Sequence, residues 1–283
     1  IIDIPIHKHR VTVGYEADME FFTKDRHQTQ NDQNQQFISL MNFHFPSWYI
    51  NVLERFAETS GRAGTTFTSR IPRLENTIHP KVGYRWKRFI VEAAYRHTLR
   101  DFRRQIDDSL DFQINEWTVT GYYDLTARVK LMADYSVAQI DYDDDYQRNG
   151  TFQQTRLGVI GEVIPNLVIE LVVGPQFRNY ETESKPDFNS WVADVRADYD
   201  FRENLKFYGK FSRKAVEATY AGTNFYKQHY FQAGLEWRFL DRWMFFSSMT
   251  YYRQQYTERT ISRGHYGFRR DDQPRQPPCM QIM

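Results

Sequence analysis

The chain has 283 residues, of which 41% are hydrophobic, 17% aromatic and 26% charged, with a mean hydropathy of −0.71. Its 37 Lys and Arg nearly cancel its 36 Asp and Glu, which excludes the global basic field that gathers nucleic acid. The one cysteine, Cys279, excludes an intramolecular disulfide and a thiolate metal cluster, and no run approaches the roughly 20 apolar residues of a transmembrane helix.

The chain opens at Ile1 without an initiator Met or a basic-then-apolar leader, which for an exported protein implies numbering that starts after signal removal. A turn-like break at His7-Lys8-His9 precedes a segment in which Val11, Val13, Tyr15, Ala17, Met19 and Phe21 alternate with Glu16, Asp18 and Glu20. Such period-two alternation is the strand signal. A long polar stretch from Thr23 to Gln35 follows, then a break at Pro46-Ser47-Trp48. From Asn51 to Arg73 the alternation is weak, and Gly61 and Gly64 predict a long or bulged loop there.

Breaks then recur at Lys87-Arg88, Thr126-Ala127, Pro165-Asn166, Arg202-Glu203-Asn204 and Leu240-Asp241-Arg242. Successive breaks lie about 39 residues apart, room for two strands of a dozen or so residues, one tight turn and one longer connection. The longer connections are polar: Asp143 to Thr151, Glu181 to Asp187 and Glu217 to Lys227. Aromatics crowd the tight-turn ends, as with Tyr84 and Trp86, Tyr122 and Tyr123, Trp237, Phe239 and Trp243.

The sharpest alternation runs from Trp191 to Phe201. Val195, Ala197 and Tyr199 are interleaved there with Asp194, Arg196, Asp198 and Asp200. Leu205, Phe207 and Phe211 alternate in the same way with Lys206, Tyr208, Lys210 and Lys214, and Leu235 and Trp237 with Glu236 and Arg238. Val129, Leu131, Ala133, Tyr135 and Val137 form a further apolar series against Lys130, Asp134 and Ser136. From Arg269 onward the chain turns to Arg, Gln and Pro.

Together these features predict an all-β transmembrane antiparallel up-and-down β-barrel, with short periplasmic turns, longer extracellular loops and aromatic girdles. Counting from Arg10 gives about fourteen strands, the last near Ser262 to Arg270. Sixteen stays open if Ile1 to Ile6 is the remnant of an earlier strand and terminal segments are missing. Residues 1–270 form one barrel domain and 271–283 an irregular tail outside the wall. A soluble β-sandwich or propeller would also give many short strands, but it would bury Asp, Arg, Lys and Glu from mid-strand in a dry core, at prohibitive cost. A water-filled lumen removes that cost.

The predicted lumen face carries Arg156, Glu162, Glu170, Arg178, Asp194, Arg196, Asp198, Lys206, Tyr208, Lys210, Lys214, Glu236 and Arg238. Arg85, Glu92, Arg96, Tyr122 and Tyr180 belong to the same face. Val195, Ala197, Tyr199, Leu205, Phe207, Phe211, Leu235 and Trp237 face lipid. The lumen charges balance, unlike the like-charge constriction of a channel selective for one ion sign. Local stripes remain, basic at Lys206, Lys210 and Lys214 and acidic at Glu16, Asp18 and Glu20. The default role of these charges is to hold strands in register; the functional one is a pore wall for a hydrated solute, with the tyrosines as stacking faces for sugars.

Catalytic and cofactor signals are absent. The eight His form no His-x-x-x-His pair with an acid, no Gly-rich phosphate loop occurs, and no Gly-x-Ser-x-Gly supports His97, His229 or His265 as part of a hydrolase. Asp141, Asp143, Asp144 and Asp145 lack the ligand spacing of an EF-type loop and read as an exposed acidic loop. The expectation is a non-enzyme without metal or cofactor.

Three stretches resemble the β-barrel porin type 2 family, outer-membrane barrels associated with exopolysaccharide export. They are Arg156-Leu157-Gly158-Val159 through Ile164-Pro165-Asn166-Leu167 to Val173-Gly174; Phe188 to Tyr199 with Trp191; and Phe211-Ser212-Arg213 with Glu217, Thr219 and Tyr220, then the hairpin around Leu240-Asp241-Arg242. The resemblance covers roughly residues 110 to 257. It implies an outer-membrane conduit, or an accessory wall protein, for polysaccharide export. The implied partners are the lipid bilayer, lipopolysaccharide, polysaccharide and periplasmic export or scaffold proteins, with no nucleic acid among them. A general diffusion porin and a structural barrel that encloses or anchors a partner are the alternatives.

Overall fold

In a computed structural model, the structure describes residues 1–20, 32–60, 72–103, 110–143, 149–181, 187–217, 225–240, 243–256 and 279–282. Fifteen strands form one antiparallel sheet in chain order: β1 (Ile2–Ile6), β2 (His9–Glu20), β3 (Asp32–His44), β4 (Trp48–Thr59), β5 (Arg73–Trp86), β6 (Phe89–Phe102), β7 (Phe112–Asp124), β8 (Val129–Tyr142), β9 (Gly150–Ile164), β10 (Leu167–Tyr180), β11 (Phe188–Arg202), β12 (Leu205–Glu217), β13 (Phe225–Leu240), β14 (Trp243–Tyr256) and β15 (Cys279–Ile282). Each strand pairs with its neighbours in sequence, the up-and-down meander of a β-barrel wall. Among the described residues the sheet is open between β1 and β15.

The predicted breaks from His7-Lys8-His9 to Arg202-Glu203-Asn204 are tight connections between two strands, and at the last one Asp241 and Arg242 lie outside the described residues. The local chemistry explains several of them. His7, Lys87 and Asn166 take positive φ, at 56°, 52° and 68°, and Pro165 before Asn166 fixes the complementary φ of a type II turn. That turn splays its strands, and the mismatch is absorbed by a bulge. Leu167 pairs with Ile164, Val168 pairs with Glu162, and Gly161 just before the bulge has φ 138°. A side chain on Gly161 would run into the Arg128 carbonyl.

The strand count differs in detail from the sequence reading. Ile2–Ile6 is already a strand, paired with β2 from Ile2↔Val13 to Ile6↔His9. The strand expected at Ser262 to Arg270 lies outside the described residues, as do Gly61 and Gly64. Cys279–Ile282 pairs with β14, so this piece of the expected tail runs along the sheet. The polar stretch read as Thr23 to Gln35 yields to strand at Asp32. Asn51 to Thr59, read as poorly patterned, lies within an unbroken strand. Its pattern is masked because Leu53 and Ala57 share the polar face while Glu54 and Glu58 share the apolar one.

The two faces are distributed inside-out relative to a soluble protein. On one face stand Phe89, Val91, Val119, Leu157, Phe177, Trp191, Phe207, Phe231 and Trp237, all exposed. The opposite face is the sheltered one, although it carries the charges: Asp134 is 3% exposed and Glu92 9%, against 63% for Leu157. An exposed apolar face this extensive requires an apolar solvent. On β6, β13 and β14 the apolar stripe runs from aromatics beside the tight turns (Phe89, Trp237, Phe245) to His97, His229 and Arg253, each eight residues away. Eight residues span about 26 Å of strand, enough to cross a tilted barrel's apolar band of about 25 Å in large part.

Candidate functional site

The sheltered face is the candidate site, and cross-strand register assembles it. The continuous pairing Phe188↔Arg178 to Tyr199↔Leu167 puts Asp194, Arg196 and Asp198 on the face of Glu170, Val172 and Arg178. Pairing of β12 with β11 and β13 adds Lys206, Tyr208, Lys210, Glu236 and, further along, Lys214. Arg156, Glu162 and Arg238 share this face by the same alternation. Val195, Ala197, Tyr199, Leu205, Phe207, Phe211, Leu235 and Trp237 all fall on the opposite face.

Three networks on the sheltered face hold charges together. In the first, Arg156 donates from Nε (3.1 Å) and Nη2 (2.6 Å) to Asp134, whose side chain is 1% exposed. Its Nη1 reaches Asp194 at 3.5 Å, and Ser212 Oγ donates to Asp194 at 2.7 Å. The network thus spans β8, β9, β11 and β12. In the second, Glu92 accepts hydrogen bonds from the hydroxyls of Tyr49 and Tyr122, with Lys81 Nζ at 3.4 Å. Gly83 makes room for it, because a side chain there would overlap the Tyr49 ring. In the third, Glu75 accepts from Arg73 at 2.7 Å and lies 3.1 Å from Arg100. Smaller pairs join Arg96 to Glu116 (3.1 Å), Arg85 to Asp124 (3.2 Å) and Arg128 to Glu162 (3.1 Å).

Several predicted residues lie apart from these networks. Arg196 pairs along its own strand with Asp198 at 2.7 Å, and Arg178 stacks on the Phe152 ring (4.9 Å) and donates to the Ala215 carbonyl. Lys206, Lys210 and Lys214 have no carboxylate within ion-pair distance among the described residues. Lys210 instead lies 5.8 Å from the Tyr230 ring centroid, and the Tyr208 ring covers Gly234. Along this β12 stripe Lys206 lies directly opposite Asp200 and Glu236, whereas Lys210 and Lys214 lie opposite no carboxylate and are bordered by tyrosines. At its turn end opens a cavity of about 710 Å³ lined by Asp200, Lys206, Glu236 and Arg238 among others.

Sequence reasoning missed Tyr49, Arg73, Glu75, Arg100, Ser212 and Tyr230 in these roles. Tyr49, Arg73 and Glu75 flank or lie close to the segment whose alternation is inverted. Ser212 and Tyr230 give no signal until three strands are aligned. Among the described residues no group of three His, Cys, Asp or Glu side chains is arranged to hold a metal; Asp144 and Asp145 lie outside them.

An apolar outer face, a sheltered polar face and up-and-down connectivity define a transmembrane β-barrel wall. No family model matches the chain, and no curated protein is similar to it in sequence. Solved structures similar to it include the siderophore receptor PirA from Pseudomonas aeruginosa, at 11% identity and TM-score 0.47, covering 90% of this chain and 53% of that one. Another is the FrpB iron transporter from Neisseria meningitidis, at 10% identity and TM-score 0.48, covering 89% and 50%. A third is the alcaligin outer membrane receptor FauA from Bordetella pertussis, at 12% identity and TM-score 0.43, covering 89% and 48%. The chain spans about half the length of each.

Proposed function

We propose that this chain is the wall of a bacterial outer-membrane conduit, and that its cargo is a hydrated anionic polymer, an exported polysaccharide. The observation that carries this reading is the β12 stripe. Among the described residues, Lys210 and Lys214 stand on the sheltered face with no carboxylate opposite them, beside Tyr208 and Tyr230, and Lys206 lies between Asp200 and Glu236 without closing an ion pair to either. Most other cations on this face are neutralised locally by the networks above. Unpaired ammonium groups attract an acidic chain without gripping it bidentately, as guanidinium groups would, and tyrosines offer sugar rings an apolar face with a polar edge. A closed wall of about fourteen strands would be roughly 28 Å across at the backbone, which leaves room for one hydrated glycan after the side chains are counted. The resemblance to the porin type 2 family supports the same direction of transport.

The test is conductance of the full chain in planar bilayers, with acidic and neutral oligosaccharides added from either side. The expected result is open-channel current that acidic oligosaccharides block at lower concentration than neutral ones, with the difference lost in Lys206→Gln/Lys210→Gln/Lys214→Gln. Current indifferent to every oligosaccharide would refute the polymer reading in favour of a diffusion porin.

A further inference from the structure

On the outward face, the apolar stripes of β12, β13 and β14 end at the same level in basic residues. Arg213 pairs directly with His229, and His229 with Arg253. Each lies eight residues beyond the aromatic-rich level of Leu205, Trp237 and Phe245, which are themselves aligned across the three strands. The outward positions between are Phe207, Gly209 and Phe211 on β12, Phe231, Ala233 and Leu235 on β13, and Ser247, Met249 and Tyr251 on β14, none of them charged. Lys227 follows two positions beyond His229, but its ammonium is turned to the buried Phe188 ring, 5.8 Å from the centroid.

Arg213 is held in place. Its guanidinium lies 3.8 Å from the ring centroid of Trp191, donates to the Trp191 carbonyl at 2.9 Å and to Ser190 Oγ at 3.0 Å. A guanidinium has five N–H donors, so three stay available. Neither Arg213, His229 nor Arg253 has a carboxylate within ion-pair distance among the described residues. The two guanidiniums stand one strand to either side of His229 and outside any ion pair, an arrangement that an anion bound between them would stabilise.

We infer that Arg213, His229 and Arg253 form a binding site for the phosphate groups of the phosphorylated glycolipid of the outer leaflet, lipid A, at the extracellular membrane boundary. This rests on the barrel orientation in the proposed function, with tight turns at the periplasm. Guanidinium groups supply bidentate, charge-assisted bonds to phosphate, and Trp191 provides the interfacial aromatic surface. The site lies on the outer face, opposite the conduit lysines.

The test uses full-length protein inserted in vesicles, with binding of bis-phosphorylated lipid A, its dephosphorylated form and phosphatidylglycerol measured by native mass spectrometry. Arg213→Gln/Arg253→Gln should weaken bis-phosphorylated lipid A by at least about tenfold, the effect of losing hydrogen bonds to a charged group. The control Lys206→Gln/Lys210→Gln should leave it unchanged. Equal binding of dephosphorylated lipid A, or an equal loss in the lysine control, would overturn the site. Phosphatidylglycerol binding as tightly, with the same loss, would overturn the assignment to the glycolipid. Both variants are first checked for insertion by heat-modifiable gel mobility. Wild-type protein that fails to insert would overturn the membrane reading and the site together, whereas inserted variants with undiminished binding would overturn the site alone.

Discussion

Removal of Arg156 gives the sharpest energetic test of the sheltered face. The Asp134 side chain is 1% exposed, and Arg156 meets it through two nitrogens, at 3.1 and 2.6 Å. Arg156→Ala leaves a carboxylate that water barely reaches without its cation, and breaking such a pair from one side costs about 3 to 5 kcal/mol. Arg96→Ala removes a guanidinium that is 47% exposed and 3.1 Å from Glu116, for which about 1 kcal/mol or less is expected. The double variant Arg156→Ala/Asp134→Ala removes both charges and should recover much of the loss, with a coupling energy of about 2 to 3 kcal/mol. Urea unfolding of protein refolded into phospholipid vesicles, followed by tryptophan fluorescence and by the folded band on unheated gels, measures all three. If Arg156→Ala cost no more than Arg96→Ala, lumen water would reach Asp134 freely and the face would not be sheltered.

The outer face yields simpler expectations. Val195→Arg and Phe207→Arg place charge in the apolar band and should cost up to about 2 to 4 kcal/mol, seen as loss of the heat-modifiable folded form. Asp198→Asn, whose partner Arg196 is 63% exposed, should shift the urea midpoint by less than about 1 kcal/mol. Glu54 stands on the outward face between Ser39 and Ile78, so Glu54→Leu should leave folding unchanged or improve it; a clear loss would assign Glu54 to an outward protein contact. Gly161→Ala forces a side chain onto φ 138° and into the Arg128 carbonyl. It should cost about 2 kcal/mol or more, whereas Gly121→Ala, whose added carbon meets nothing closer than 4.0 Å, should be mild.

The wall was legible in the sequence because two periodic signals coincide. Tight turns recur every 39 residues or so, and between them side chains alternate faces. Pro165-Asn166 was readable as a turn since both residues favour its backbone angles. The bulge just before it was not, because a register shift is a relation between two strands. The β4 strand escaped for a related reason: with Leu53 and Ala57 inward and Glu54 and Glu58 outward, its alternation carries the wrong polarity. The candidate site was legible only as a set of residues. Arg156, Asp134 and Asp194 all stand out as inward charges, but only the registers of β8 with β9 and of β9 through β10 to β11 make them one network. Arg213, His229 and Arg253 are far apart in the chain and become neighbours only when three strands are aligned.

Register also explains why the sheltered face carries so many charges. Lipid contacts discriminate poorly among aromatic and aliphatic side chains, so the outer face tolerates a slip of two residues, which keeps every side chain on its own side. The sheltered face does not. A two-residue slip of β9 against β8 would set Arg156 opposite Met132 or Ser136 and leave Asp134 buried without a cation. The direct oppositions of Glu75 to Arg100 and of Arg96 to Glu116 impose the same penalty on β5 with β6 and on β6 with β7. Charges engaged in this way are poor candidates for cargo contact, because moving one to follow a solute would unlock the register. Of the β12 lysines, Lys206 lies opposite Asp200 and Glu236, but Lys210 and Lys214 are under no such constraint. Lys210 lies opposite Arg196 and Gln232, a placement that does nothing for register and keeps positive charge facing the lumen, and on that ground β12 is the strand where selectivity can change without loss of the fold.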